Sequence, residues 1–238
     1  MKRLTGTVAL VIALVTVAGS AMAAKEKSAL KVTVDPAFFG KSITKIGLMR
    51  LVYPITNDVR MEEILPDLVN GTLQDQGEFT ILYPDDIKVA AERGGYQEAF
   101  ETLVRVWRTR GEIDAQSLAK VNQAVGLDAI VCVELTHWEQ KKLDITEEGY
   151  STTTVGLRSR MWNVADQALL WEASLVKVAN SPPYTPSGST ADRVPESPRY
   201  EEVAEDVVNE VIGSYPKPED KERIEKEAKK KKKKEGGR

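Results

Sequence analysis

Residues Asp128–Trp138 (DAIVCVELTHW) open on an unbroken apolar run, Ala129 to Val133, and only afterwards mix polar with apolar side chains. A strand that is apolar on both sides of its backbone has no side to show to water. The run therefore predicts a central strand with layers packed on both faces. Upstream, Tyr96, Phe100, Leu103 and Trp107 recur at helical spacing up to Gly111. Asp114 then caps a second helix carrying Leu118, Val121 and Val125, stopped by Gly126. Farther back, Ser42–Tyr53 (SITKIGLMRLVY) reads as a strand closed by Pro54, and Phe79–Tyr83 as a short strand stopped by Pro84. Between them, Asn57 or Asp58 caps a helix with Met61, Leu65, Leu68 and Leu73 on one face, ending at Gly77. Pro66 inside it predicts a kink or a split into two short helices.

Downstream the rhythm changes. Thr152–Asn163 sets Val155, Leu157 and Met161 against Arg158 and Arg160, a half-buried strand of period two. Val164–Gln167 is a turn, and Ala168–Val178 returns as its antiparallel partner. Asn180–Pro198, with 5 Pro and 4 Ser, is a loop. The last helix has Ser197 as cap, Pro198 at its first position, Glu201 and Glu202 in its first turn, and Gly213 after its end. Val203, Val207 and Val211, flanked by Ala204, Val208 and Ile212, give it a broad apolar stripe. The order β-α-β-α-α-β-β-β-α predicts an α/β fold: a mixed sheet of about five strands with helices packed on it, as one domain over 42–215.

The two ends of the chain read differently from its body. Met1-Lys2-Arg3 is a short cationic segment, and Val8–Ala18 is an apolar run of 11 residues, too short for a bilayer. Ala21-Met22-Ala23 then supplies a cleavage signal, so residues 1–23 are expected to be a signal peptide and 24–41 an N-terminal extension. Lipidation at such a site needs a cysteine directly after it, and the only cysteine is Cys132. The expected product is a non-lipidated periplasmic protein. At the other end, 216–238 carries 11 Lys and Arg against 6 Asp and Glu, while 24–215 has a net charge of −10. An acidic body with a basic tail is not the pattern of a nucleic-acid-binding domain. The tail is expected to be disordered, or at most a fraying helix over Lys221–Lys230. Its run Lys229, Lys230, Lys231, Lys232, Lys233 and Lys234 is a candidate tether to an anionic surface, at roughly 1 kcal/mol per lysine.

One cysteine and one histidine in 238 residues exclude an intramolecular disulfide and a Cys/His zinc site. Gly40-Lys41-Ser42 has the ending of a phosphate loop, but Asp35 stands where the first glycine belongs, and a strand follows in place of a helix. Cys132 and His137 are five apart on one strand, an odd spacing that places them on opposite faces. The pairs Glu62-Glu63 and Asp85-Asp86 suit helix starts. No catalytic, cofactor or metal residues are assigned. The competing enzyme reading, a hydrolase, would use His137 as base. Trp138, Arg158, Arg160 and Trp162 are the candidate interaction residues, being of the types that concentrate at interface centres. The alternative is that a helix of the same domain covers this face.

Two stretches carry a resemblance. Gly126–Val131 (GLDAIV) resembles the strand entry of the CsgG, LpoB and TolB-N-terminal-domain superfamily of bacterial envelope proteins, and Leu157–Trp171 (LRSRMWNVADQALLW) resembles its hairpin. Here Asp166 falls one or two residues late, and Gln167 stands where the superfamily turn has glycine. The likeness spans about Ser42–Gly213. It implies a non-catalytic envelope domain that binds protein partners in secretion, transport or peptidoglycan synthesis. The missing lipid cysteine departs from most relatives. The expectation is an envelope interaction or assembly accessory without cofactor or nucleic acid, in possible contact with an anionic membrane surface. A protein held at the membrane by its lysine tail is the other alternative.

Overall fold

The computed structural model describes residues 29–53, 60–77, 79–188 and 193–235. The expected signal peptide lies outside them. Among the described residues six strands form one sheet in the order β1-β6-β5-β4-β2-β3. They are β1 (Lys31–Val34), β2 (Lys45–Leu48), β3 (Thr80–Leu82), β4 (Ala129–Lys141), β5 (Thr152–Asn163) and β6 (Leu169–Asn180). The helices are α1 (Arg60–Gln74), α2 (Pro84–Arg93), α3 (Gln97–Arg110), α4 (Ala115–Val125), α5 (Tyr200–Gly213) and α6 (Lys221–Glu235). The α/β class and mixed sheet are as expected, with six strands in place of about five.

The parallel part is β3-β2-β4, and its connections dictate where the helices sit. The chain steps from β2 out to β3 through α1, then back across β2 to β4 through α2, α3 and α4. Right-handed crossovers taken in opposite directions put their helices on opposite faces. Hence α1 packs with α5 on one face, in a core of Ile46, Leu65, Leu73, Val131, Trp171 and Val207. On the other face, α2–α4 close over Met49, Ile130 and Cys132, with Leu103, Trp107 and Leu118. Ala129 to Val133 are fully buried, so the central strand is covered on both faces.

The antiparallel part is built from β4, β5 and β6, each 12 or 13 residues long. The short turn between β5 and β6 leaves no chain for a helix. On one face α5 returns onto this half, with Val203, Val207 and Val211 in one core with Leu157 and Ala173.

Four local features differ from the residue pattern. The β2 strand is shorter than Ser42–Tyr53: beyond Leu48 the chain keeps only isolated contacts with β4, through Met49 N–H to Val131 O and the bridge from Val52 to Glu134. Of the kink or split expected at Pro66, the split into two helices does not occur: Arg60–Gln74 is one element, with Met61, Leu65, Val69 and Leu73 buried. Residues 31–34 of the expected extension are the edge strand β1, paired with β6 from Lys31–Ser174 to Val34–Trp171. The tail, expected to be disordered or at most a fraying helix over Lys221–Lys230, is helical over Lys221–Glu235, and its Ile224 is buried.

Candidate functional site

Register decides which side chains share a face. On β5, Thr154, Gly156, Arg158, Arg160 and Trp162 alternate with the buried Val155, Leu157, Ser159 and Met161. Cross-strand partners carry the face onto β4 through Glu134 and His137, and onto β6 through Glu172, Ser174, Val176 and Val178. A β-bulge between Leu135 and His137 interrupts β4. It reverses the alternation there. Cys132 pairs with Arg160 and His137 with Gly156, so both lie on one face, contrary to the odd spacing. They remain about 13 Å apart along the strand. A side chain at Gly156 would meet Thr136 Oγ1 at 2.5 Å and His137 Nδ1 at 2.8 Å. The glycine is what lets the bulge lie against β5.

The bulge also turns Trp138 inward. It is 7% exposed and stacks on Tyr200 of α5 at 4.4 Å with 4° between the rings. As a candidate for an outward-facing contact it is corrected: one extra residue in β4 moves it to the α5 face.

Arg160 and Trp162 do lie on the predicted face, but the end of α3 covers them. The Arg160 guanidinium sits 5.1 Å from the Trp107 ring and 5.2 Å from the Trp162 ring, and those indoles meet edge to face at 6.2 Å. Its Nη2 donates to Glu134 at 3.3 Å, and the side chain is only 15% exposed. Trp107 is fully buried, its Nε1 donating to Arg50 O at 3.2 Å. This arrangement pins α3 over β4 and β5 through cation–π and charge-assisted contacts. Arg158 is different. At 43% exposure it bridges Glu134 (3.6 Å) and Glu172 (3.7 Å), tying three strands at the boundary where helical cover ends.

Past that boundary the face is open. The α2–α4 core takes nothing from β6. Val176 and Val178 are 37% and 50% exposed, and His137 and Glu139 on β4 are also exposed. The two valines do not stand out in the sequence, where Ala168–Val178 reads only as the antiparallel partner of Thr152–Asn163. The available signal was Lys177 between them: whichever face takes the lysine, the valines take the other. Lys177 lies on the α5 side and donates to Asp206 at 2.8 Å and Glu210 at 3.1 Å, which raises its pKa.

The remaining chemical candidates are spoken for. His137 Nδ1 lies 3.1 Å from Thr136 Oγ1. Cys132 is fully buried, and desolvation pushes its thiol well above the ordinary range, so it packs as an apolar group. Lys41, from the Gly-Lys-Ser stretch, is paired with Asp166 of the β5–β6 turn. Among the described residues no group of three His, Cys, Asp or Glu side chains is arranged to hold a metal ion. No helix among them is long and apolar enough to cross a membrane.

The Lys229 and Lys230 side chains are exposed near the end of α6; Lys231, Lys232, Lys233 and Lys234 continue the same helix. The structure thus separates the candidates: Trp138 faces α5, Arg158, Arg160 and Trp162 line the edge of the α3 cover, and the lysines stand apart on α6.

No protein-family model and no curated protein matches the chain. Among solved structures, it is similar to the PelC dodecamer from Paraburkholderia phytofirmans, with 11% identity over 78% of this chain and 94% of that one, at a TM-score of 0.44. It is also similar to the lipoprotein GNA1162 from Neisseria meningitidis, with 17% identity over 61% and 88% of the two chains and a TM-score of 0.36. The LpoB C-terminal domain from Escherichia coli is a further such structure, with 10% identity over 56% and 82% and a TM-score of 0.36.

Proposed function

We propose that the protein is an exported, non-lipidated envelope protein that acts without catalysis, by docking a partner protein on the open face of β4, β5 and β6. The observation that carries this reading is the unequal cover of one sheet. The same strands that are closed by α5 on one side leave Val176, Val178, His137 and Glu139 to solvent on the other. Exposed valines beside the anchored Arg158–Glu134–Glu172 cluster give an apolar centre with a charged rim, the usual anatomy of a protein interface. The leader sequence and the absence of a cysteine after its cleavage signal support export in unlipidated form.

The test is covalent capture in living cells with the wild type and with Val176→Asp combined with Val178→Asp. An envelope protein captured by the wild type and lost from the variant, with thermal stability unchanged, is the expected result. Equal capture by both proteins overturns the reading.

A further inference from the structure

We propose that α6 seats the protein on a bilayer bearing anionic lipid headgroups, through Lys229, Lys230, Lys231, Lys232, Lys233 and Lys234. The helix is divided by charge. Its first half holds Glu222, Glu225 and Glu227. There Arg223 pairs with Asp220 at 2.8 Å and with Glu227 at 3.8 Å, and Lys226 with Glu222 at 3.5 Å. This half is docked: Ile224 is buried, and the helix packs beside the 3-10 turn Pro36–Gly40. After Glu227 there is no carboxylate until Glu235. Lys229 and Lys230 are exposed and make no ion pair among the described residues.

Helix geometry makes this end suited to a surface. At about 100° per residue, positions 229–234 sweep roughly 500° around the axis, so the six positions are spread round the whole helix rather than along one stripe. Such a tip suits a diffuse negative plane better than one row of carboxylates. The distance from Ile224 to Lys232, eight residues, is about 12 Å along the helix. That exceeds the screening length of about 8 Å at physiological salt. By the same rise, positions 230–234 lie more than one screening length from Ile224, where the field of a body with a net charge of −10 over 24–215 is weakened. A nucleic-acid backbone would need basic surface continuing onto the body, whereas a plane can be met by the tip alone. This inference and the docking of a protein on the sheet fail independently, because they use different surfaces.

The experiment is co-sedimentation of the full chain, as processed by the cell, with vesicles of phosphatidylglycerol and phosphatidylethanolamine, and with phosphatidylcholine vesicles. The expected result is at least about tenfold tighter binding to the anionic vesicles, abolished by high salt. Replacing all six lysines by Gln should remove that preference without moving the melting temperature, and replacing them by Arg should retain it. The proposal is overturned by equal binding to both vesicles, by salt-insensitive binding, by a Gln variant that binds as well as the wild type, or by duplex DNA that binds more tightly than the anionic vesicles.

Discussion

The two halves of the sheet share strand β4 and differ in almost everything else. In the parallel half, β3-β2-β4, each residue of β4 from Ala129 to Val133 is closed off by helices on one face or the other. In the antiparallel half, β4-β5-β6, one face is closed by α5 and the other is open beyond Arg158. Connectivity is the cause. Parallel neighbours need crossovers, and crossovers bring helices; hairpins need only a turn, and bring nothing. A stable core is built where the chain must cross over, and free surface is left where it does not.

The sharpest way to break this contrast is at the closed edge of the open face. Trp107→Ala removes a fully buried indole and one side of the Arg160 sandwich. It should cost about 3–5 kcal/mol in denaturant unfolding. A cost near that of a surface substitution would mean that α3 does not hold the second layer down. Next in size is Gly156→Ala, whose methyl would press on Thr136 and His137. About 1–3 kcal/mol should be lost as the bulge is forced away from β5. Unchanged stability would show that the bulge can relax, and with it the inward placement of Trp138.

A smaller effect sharpens the closed half. Asp128 sits just before β4 and accepts from the N–H groups of Thr44 and Lys45 and from Thr44 Oγ1, at 2.8, 2.9 and 2.8 Å. These bonds, the Thr44 N–H first among them, lower its pKa. A carboxylate with a depressed folded-state pKa stabilises the fold fully above its unfolded value, near 3.9, and loses that stabilisation as pH falls through the folded value. Asp128→Ala should cost about 1 kcal/mol at neutral pH, the carboxylate being partly solvated. Denaturation curves at pH 7 and pH 3 should show the difference between variant and wild type shrinking in acid; a constant difference would count against these bonds. Smallest is the hairpin turn. Gln167 has a φ of 59°, in the left-handed region that glycine tolerates. Gln167→Gly should raise stability by about 0.5–1 kcal/mol, seen as a higher melting temperature. A fall would show that the bond from Gln167 Nε2 to Ala115 O is worth more than the strain.

Much of the fold was legible because it lies in periodicity. The apolar entry of β4, the alternation of β5 and the stripes of α3, α4 and α5 each announce their own burial. What escaped depends on partners distant in sequence. The β1 strand has only four residues, three of them exposed, and exists because β6 offers it an edge. In α2 the buried positions are only Ile87 and Ala91, too few to show a period. In the tail's helix Ile224 is the one buried side chain among the described residues, too little for a period to show. At the candidate site the decisive feature was one extra residue. The bulge before His137 reverses which face each later β4 residue takes, and in sequence its trace is a single glycine on another strand, Gly156. Residue types could therefore nominate Trp138 and Arg160, while only the register shows that one stacks under α5 and the other is clamped under α3.

The open face can be interrogated directly by placing a photo-crosslinking side chain at Val178, and in a parallel strain at Glu202, an exposed position on α5. Illumination of living cells should join Val178, and not Glu202, to one discrete partner protein. Equal yields from the two positions, or none from Val178, would contradict a docking role for that side of the sheet.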